Sequence, residues 1–353
     1  MDDLNPRETK GLCLLSLDGG GVRGLSTLCI LKCLMDKLNR GRQKAGLTTV
    51  RPCEVFNLIG GTSTGGLIAI MLGRLEMDVD ECIAVYTTLM EAVFAEKKNR
   101  SRVNMWLNLQ PRFDTKKLKA AIEGVLESRG IAKDAPFNDG ASRSCRVMVC
   151  ATSSDLADTV RLRSYDVERA GVPVPATICE AALATSAATS FFDAVEIDGR
   201  RFVDGALGAN NPVREVAAEA KHIWCYEDGA DLMSKVKCFV SIGTGHPGKK
   251  PINNKLFGFA SETLVRLATD TEQEATLFAE DWRVAYEEKR YFRFNVQHGL
   301  QDVGLEEYTQ RGTILTATDS YLKEQAQDTG VTECFANLMV RECMYLVRAE
   351  EYA

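Results

Sequence analysis

The chain has 353 residues, of which 45% are hydrophobic and 26% charged, so it can bury a large core in one α/β domain or two smaller ones. Its 28 glycines, 9 prolines and full set of aliphatic residues exclude a collagen-like, low-complexity or disordered chain. The 43 basic and 49 acidic residues give a net charge of −6, which provides no overall attraction for a polyanion and argues against nucleic acid as a partner.

The first residues and the cysteines indicate the compartment. Residues 1–6 lack the basic and then apolar segment of a secretory signal, and no uncharged apolar stretch approaches the ~18 residues of a membrane span. Twelve cysteines are scattered through apolar runs and form no C-x-x-C pair, which predicts reduced core residues. We therefore expect a soluble, cytoplasmic protein.

The first half of the chain alternates buried strands with helices. The apolar run at 12–17 predicts a strand that ends at a glycine loop, and apolar residues spaced by three and four from Leu25 to Leu38 predict the following helix. The unit repeats with a strand at 55–59, a tight turn at 60–66 and a helix from Leu67. Asp80 and Asp114 are the expected N-caps of two amphipathic helices.

The second half continues the pattern. We predict a strand at 146–151, a hairpin at 195–203 that turns at Asp198-Gly199, a helix that begins at Asn211-Pro212, and a buried strand at 236–242. Long helical patterns cover 256–289 and 313–352. Since no Pro/Ser/Gly-rich linker interrupts the chain, we expect a single domain over 1–353, with a motif-bearing core at about 12–245 and a C-terminal helical extension at about 255–353. The predicted fold is a three-layer α/β/α arrangement around a central, mainly parallel sheet.

Ser63 is the most informative residue. It lies in a G-x-S-x-G sequence between a predicted strand and a predicted helix, where flanking glycines permit a strained backbone and close approach of a substrate. This pattern predicts a nucleophile elbow. The helix N-terminus behind it favours negative charge on an acyl tetrahedral intermediate. The alternative is an ordinary turn that contains a serine.

The loop from Gly19 to Gly24 matches the G-x-G-x-x-G pattern of dinucleotide-binding turns. The acidic residue that such a site requires at the end of a second strand is missing, because Asp36 falls inside the first helix and Glu54 precedes its strand. The same backbone can instead offer several N–H groups as an oxyanion hole, which requires a nearby nucleophile such as Ser63. Tight strand-to-helix packing is a further explanation of the glycines.

A serine nucleophile needs a base, and the chain has only three histidines, at 222, 246 and 298. None stands in a convincing catalytic context, and a surface or capping role is the simpler interpretation of each. Asp204 ends a predicted strand in a tight turn before Gly205, which makes it the alternative base. A turn-forming Asp-Gly pair is the structural explanation of the same residues.

Three ordered motifs of the chain resemble those of the patatin-like phospholipase family: Asp18 to Gly24, then Gly61 to Gly65, then Asp204-Gly205-Ala206 followed by 209–212. The resemblance implies that Ser63 is the nucleophile and Asp204 its base in a Ser-Asp dyad. It also implies an oxyanion hole formed by Gly19, Gly20, Gly21, Val22, Arg23 and Gly24. The remaining motif residues are those of the elbow (Gly61, Thr62, Thr64 and Gly65) and of the base turn (Gly205 and Ala206).

The activity implied is that of a lipid acyl hydrolase of the phospholipase A or lysophospholipase type, working through an acyl-enzyme. The sequence holds no calcium-loop pattern and no Cys/His cluster with zinc spacing, so we expect no metal and no cofactor. Two alternatives remain open. One is a lipase-type effector module that is active only with a partner, and the other is an α/β-hydrolase esterase whose triad includes one of the three histidines.

A lipid substrate requires contact with a membrane or micelle surface. Residues 94–109 combine four basic residues with Met105, Trp106, Leu107 and Leu109, so they are a candidate for peripheral membrane contact. A solvated charge cluster beside a packed helix would give the same sequence.

Overall fold

The computed structural model describes residues 11–96, 111–168, 171–189, 191–226, 229–246 and 271–350, with side chains up to residue 339. One sheet of eight strands organises these residues, in the order β5-β6-β3-β2-β1-β7-β8, with β4 paired to β3 outside this path. The strands are β1 (Leu12–Leu17), β2 (Leu58–Thr62), β3 (Arg146–Ser153), β4 (Thr159–Arg163), β5 (Val195–Ile197), β6 (Arg200–Asp204), β7 (Val236–Ile242) and β8 (Tyr291–Phe294).

The helices lie on both faces of this sheet. They are α1 (Gly24–Lys44), α2 (Pro52–Val55), α3 (Thr64–Ala69), α4 (Val79–Phe94), α5 (Thr115–Ser128), α6 (Ile178–Ser186), α7 (Ala206–Ala209), α8 (Val213–Cys225), α9 (Leu232–Lys235), α10 (described over 271–281), α11 (Arg283–Glu287), α12 (Arg311–Lys323) and α13 (Gln325–Glu350). A π-helical turn at Ile70–Arg74 continues α3, and short 3₁₀ turns occur at Gly21–Arg23 and Tyr308–Gln310.

The central strand β1 shows why the core has two layers. Its six residues are all buried, and alternate side chains point to opposite faces of a strand. Cys13, Leu15 and Leu17 pack with α1 and α4, whereas Leu12 and Leu14 pack with Val216 and other residues of the opposite layer. Strands β3, β2, β1, β7 and β8 run parallel to one another. The predicted α/β fold with a mainly parallel sheet is confirmed.

Some predicted boundaries are wrong by a few residues. The second strand begins at Leu58 instead of Val55, because Pro52 starts the short helix α2 and the Glu54 carboxylate accepts a hydrogen bond from the Arg51 amide at 2.8 Å. Helix α4 is capped by Asp78, whose side chain accepts from the Glu81 amide, and the expected cap Asp80 lies in the first turn. Asp78 and Glu81 form a capping box, whereas at Arg51 only the Glu54 side chain reaches back; both helices begin earlier than the apolar periodicity indicates.

The region after residue 255 is more than a helical extension. Tyr291–Phe294 adds the edge strand β8 in parallel to β7, inside the segment that the sequence assigns mostly to helices. Residues 256–270 of the predicted helical pattern lie outside the described residues. Part of the central sheet therefore comes from the last quarter of the chain.

One edge of β3 brings the serine of the elbow and the aspartate of the base turn together. Thr62, at the end of β2, lies opposite Cys150, and Asp204, at the end of β6, lies opposite Ala151, the next residue of β3. The other edge of β3 is occupied by β4, so β2 and β6 follow one another along a single edge. Ser63 directly follows Thr62 and thereby meets Asp204 at the carboxyl end of the parallel strands.

A buried ion cluster joins α8 to β4. Glu219 is fully buried and accepts hydrogen bonds from Arg163 Nη2 at 2.8 Å, Tyr165 OH at 3.0 Å and Arg161 Nη1 at 3.2 Å. Burial alone would raise the pKa of Glu219, but the Arg163 and Arg161 guanidinium groups outweigh it and hold that pKa below its usual value. The carboxylate is thus a charged part of the fold.

Glu219→Gln should lower the free energy of unfolding by about 3 kcal/mol, because the variant leaves the Arg163 guanidinium without its buried counter-charge. Urea denaturation followed by circular dichroism measures the change. Glu215→Gln is the matched control: it lies on the same helix and contacts Arg161 at 2.7 Å, but is a quarter exposed, so a loss below about 1 kcal/mol is expected. Equal losses in the two variants would contradict the role of burial.

Candidate active site

Ser63 lies on a sharp turn between β2 and α3. Its φ of 54° and ψ of −124° are rare for a residue with a side chain and cost about 1–3 kcal/mol. The Ser63 amide donates to Thr185 Oγ1 at 2.9 Å, and the Ser63 carbonyl accepts from the Leu67 amide at 3.0 Å. One contact from α6 and one from α3 therefore hold the strained backbone of Ser63.

The glycines of this turn allow a close approach that no side chain would permit. A Cβ on Gly61 would overlap the carbonyl group of Gly65, and a Cβ on Gly65 would overlap the carbonyl oxygen of Leu17 in β1. The hydroxyl of Thr62 donates to the Ala209 carbonyl at 2.6 Å, which ties the turn to the helix that follows Asp204. The elbow is thus packed on three sides by backbone.

Asp204 is the direct partner of the Ser63 hydroxyl. Ser63 Oγ donates to Asp204 Oδ2 at 2.7 Å, and the Ala206 amide donates to Asp204 Oδ1 at 2.8 Å. Gly205 is required between them, because a Cβ there would overlap the Cys150 carbonyl. Both carboxylate oxygens of Asp204 consequently have fixed positions.

Asp204 is 3% exposed, and no basic side chain of the described residues forms an ion pair with it. Burial raises the pKa of Asp204 from 3.8 to about 7, although hydrogen bonds from the Ala206 amide and the Ser63 hydroxyl lower it in part. A carboxylate with a pKa near neutrality is a far better proton acceptor than an ordinary aspartate. Burial thus gives Asp204 the basicity that an exposed aspartate lacks.

The glycine loop lies against the Ser63 turn. A Cβ on Gly19 would come within 3.1 Å of Ser63 Cβ. The Gly19 amide donates to the Asn210 carbonyl at 3.0 Å, so the loop is also joined to the segment that follows Asp204. The structure therefore brings the three sequence motifs into mutual contact.

The amides of this loop differ in their partners. Gly19 N–H donates to Asn210, Val22 N–H to the Leu305 carbonyl at 2.9 Å, and Arg23 N–H to the Gly20 carbonyl at 3.2 Å. The Gly24 amide bonds within the turn to Gly21 and Val22. Within the described part of the chain, this leaves the Gly20 and Gly21 amides without an acceptor.

The outer side of the loop is held by side chains. Thr64 Oγ1 and Tyr86 OH both donate to the Gly21 carbonyl, at 3.1 and 2.5 Å. Thr244 Oγ1 donates to the Gly19 carbonyl at 2.9 Å. The side chain of Arg23 is buried, and burial lowers its pKa to about 10. Of these contacts, the sequence interpretation missed Tyr86 and Thr244.

The histidines have contacts outside the Ser63–Asp204 pair. His222 Nε2 contacts the Glu168 carbonyl at 2.9 Å and its ring stacks on Tyr226. The His246 amide donates to the Val296 carbonyl, and His298 is exposed. None of them forms a hydrogen bond with Ser63 or Asp204 in the described structure.

A second buried acid adjoins the loop. Asp18 is 1% exposed and binds Arg293 of β8 through both carboxylate oxygens, at 3.0 and 2.6 Å. Arg293 is 275 residues away in sequence and was not a predicted site residue. Only its position beside β7 in the sheet brings it to Asp18.

The remaining expectations concern membrane contact, metal binding and membrane-spanning helices. Residues 97–109 of the candidate membrane segment lie outside the described residues. Among the described residues, no group of three or more His, Cys, Asp or Glu side chains is arranged to hold a metal ion. No helix within that same portion is both long and apolar enough to cross a membrane.

Comparison with known proteins places the chain in a family. The model of the patatin-like phospholipase family matches residues 15–217, which is more than half of the chain. The chain belongs to this patatin-like family. The match contains Ser63, Asp204 and the glycine loop, whereas Thr244, Arg293 and Leu305 lie beyond it. The resemblance deduced from the motifs is therefore confirmed.

Relatives of this patatin-like chain are distant, and the chain matches only part of each of them. It is 27% identical to phospholipase A I of Arabidopsis thaliana over 67% of the chain, and 25% identical to calcium-independent phospholipase A2-gamma of Mus musculus over 83%. It is 29% identical to the cGAMP-activated phospholipase of Vibrio cholerae over 56% of the chain. The matched regions span 21%, 36% and 55% of these three relatives.

The raised pKa of Asp204 makes stability depend on pH. An unfolded chain releases this proton near the ordinary pKa of 3.8, whereas folded Asp204 retains it up to about pH 7. The folded state therefore binds more protons in between, so its stability falls as pH rises across this window. Asp204→Asn keeps the shape and removes the charge. We expect the variant to melt a few degrees higher than the wild type at pH 8 and to show a much smaller gain at pH 5.

Differential scanning calorimetry at the two pH values measures this effect. The exposed Asp155 lies in the turn after β3, and Asp155→Asn is the control that should show little change at either pH. A melting temperature of Asp204→Asn that is equal to or below the wild-type value at pH 8 would show that the carboxylate is not destabilised by burial.

Proposed function

We propose that this protein is a lipid acyl hydrolase of the phospholipase A or lysophospholipase type, with Ser63 as nucleophile and Asp204 as base. The observation that carries the proposal is the 2.7 Å hydrogen bond from Ser63 Oγ to the buried carboxylate of Asp204, beside a glycine loop in a chain of the patatin-like family. The curated relatives are named phospholipases, which supports a lipid ester as substrate.

The proposed reaction begins with attack of Ser63 Oγ on the carbonyl carbon of an acyl ester. The hydroxyl proton moves to Asp204 Oδ2 as the C–O bond forms, and the carbonyl oxygen becomes an oxyanion. The tetrahedral intermediate then collapses, the ester C–O bond breaks, and Asp204 returns the proton to the leaving alcohol or lysolipid. An acyl-Ser63 ester remains.

Deacylation repeats these steps with water. Asp204 accepts a proton from water as the water oxygen attacks the acyl-Ser63 carbonyl, and collapse of the second intermediate returns the proton to Ser63 Oγ. The fatty acid leaves and the enzyme is regenerated. No residue other than the dyad is needed for these proton transfers, and the name of the mouse relative is consistent with a reaction that needs no calcium.

Within the predicted oxyanion hole, we assign the donors to Gly20 and Gly21. Their amides are the ones without an acceptor in the described structure, whereas those of Gly19, Val22, Arg23 and Gly24 are engaged. Donors that are fixed before the reaction stabilise negative charge without reorganisation, and one such donor is typically worth about 10²- to 10³-fold in turnover. The Ser63 amide is not available, because it donates to Thr185.

A lipid surface is the implied partner. A peripheral contact through residues 94–109 and a cytoplasmic location stay predictions from the sequence, as does a single-domain organisation of the chain. The substrate head group and acyl chain are open, and a lipid-hydrolysis panel read by mass spectrometry would define them.

Ser63→Ala and Asp204→Asn should each lower ester hydrolysis by at least about 10³-fold while leaving the circular dichroism spectrum unchanged, because each removes one member of an interdependent pair. Turnover of a short soluble ester and of phospholipid vesicles measures the loss. His222→Ala, His246→Ala and His298→Ala are the controls and should stay within about tenfold of wild type. One inactive but folded histidine variant would contradict the dyad and indicate a catalytic triad instead.

The pH profile provides a separate test. Since Asp204 accepts the proton only when ionised, kcat/KM should fall about tenfold per pH unit below a midpoint of about 7. Initial rates on a short soluble ester between pH 5 and 9 give the profile, with melting temperatures at each pH to exclude unfolding. A profile that stays flat down to pH 5 would rule out a base with a raised pKa.

A further inference from the structure

The Asp18–Arg293 pair is a buried contact between the start of the glycine loop and the edge strand β8. Arg293 Nη1 donates to Asp18 Oδ1 at 3.0 Å and Nη2 to Asp18 Oδ2 at 2.6 Å. The side chains are 1% and 14% exposed. A two-point contact between a planar guanidinium and a carboxylate fixes direction as well as distance. Asp18 is therefore oriented, and Gly19 follows it directly.

Arg293 is itself held by side chains from two further elements. Its Nη1 donates to Ser241 Oγ of β7 at 2.9 Å, and its Nη2 lies 3.2 Å from Glu272 Oε1 of α10. The same Glu272 oxygen accepts from Asn295 Nδ2 at 2.6 Å. Burial disfavours the charge on Arg293, but the carboxylates of Asp18 and Glu272 outweigh it and hold the pKa of Arg293 above its usual range. The guanidinium stays charged.

The glycine loop needs such anchors because its own sequence does not define its shape. Glycine adopts a wide range of backbone conformations, and Gly21 here has a φ of +55°. The amides of Gly20 and Gly21 can bind an oxyanion only if the loop keeps a single conformation. Asp18 is the residue through which the end of β1 enters this loop, so its orientation sets where the loop begins.

The pair also affects the negative charge beside the proposed oxyanion site. A negative charge on Asp18 with no counter-charge would oppose the negative charge that develops on the substrate carbonyl oxygen. In a site shielded from water such a repulsion is strong. Arg293 opposes this charge and lowers the pKa of Asp18, although burial is the larger effect and raises that pKa to about 6.

We propose that Arg293 is a positioning residue for catalysis, which acts through Asp18 to hold the glycine loop in the conformation that binds the oxyanion. This inference rests on the proposed acyl hydrolysis for its kinetic consequence. Its structural consequence, a loop fixed by Arg293, is independent of the substrate. Arg293 lies outside the region that matches the family model, so similarity to that model does not identify it.

Kinetics of Arg293→Gln and Arg293→Lys on a short soluble ester test the proposal. Arg293→Gln should lower kcat by about 10- to 100-fold with KM within about threefold, because ground-state binding does not require the oxyanion donors. Arg293→Lys keeps the charge but cannot make the two-point contact, so it should recover only part of the loss. Arg290→Gln is the control: Arg290 is three residues away and binds the Met233 and Val236 carbonyls at the other end of the sheet, so kcat should remain near wild type.

Hydrogen exchange gives a readout that does not depend on activity. The Gly19 and Val22 amides are bonded to Asn210 and Leu305, and their exchange should accelerate at least about tenfold in Arg293→Gln but not in Arg290→Gln. Unchanged exchange at both amides, or a folded Arg293→Gln enzyme with wild-type kcat, would overturn the proposal. Accelerated exchange in a protein that hydrolyses no ester would uphold the positioning of the loop and reject the proposed function instead.

Discussion

One strand edge determines the geometry of the candidate site. Strand β3 pairs first with β2 and then, along the same edge, with β6, so that Cys150 faces Thr62 and Ala151 faces Asp204. A parallel and an antiparallel neighbour thus end at the same point, one carrying a nucleophile on its following turn and the other an acid at its last position. If β6 slipped by one residue, Asp204 would point to the other face of the sheet. The 2.7 Å contact between Ser63 and Asp204 depends on this register.

The two buried aspartates of the site have opposite surroundings. Asp18 binds a guanidinium through both oxygens, whereas Asp204 receives hydrogen bonds from a backbone amide and a serine hydroxyl and has no ion-pair partner in the described structure. Burial disfavours the ionised form of both and raises the pKa of Asp18 to about 6 and that of Asp204 to about 7. The Arg293 guanidinium opposes this effect at Asp18, whereas Asp204 has only neutral hydrogen-bond donors and is poised to take up a proton. The same residue type therefore serves two purposes, and the neighbours decide which.

Local sequence signals were sufficient for the fold class, for most strands and for the three motifs around Ser63, Asp204 and the glycine loop. They failed where a partner is distant. Thr185 lies in a helix of mostly small buried residues, and Arg293 lies in a four-residue strand between two predicted helical patterns. Leu305 acts through its backbone carbonyl, which its side chain does not reveal. Boundaries failed for another reason: the Glu54–Arg51 contact and the capping box at Asp78 mark helix starts that precede the apolar periodicity. Sequence context alone argues against a histidine triad, and none of the three histidines forms a hydrogen bond with Ser63 or Asp204 among the described residues.

The central place of β1 bears on how this chain can be divided. The family match ends at residue 217, yet β1 has β7 on one side, and β7 is followed by β8. A fragment cut at 217 would expose the unpaired N–H and C=O groups along one edge of a fully buried, mostly apolar strand, LCLLSL, which is the kind of edge that recruits other chains into aggregates. It would also lack every contact that Thr244 and Leu305 make to the glycine loop. We therefore expect the smallest unit that folds stably to be larger than the stretch by which the family is recognised.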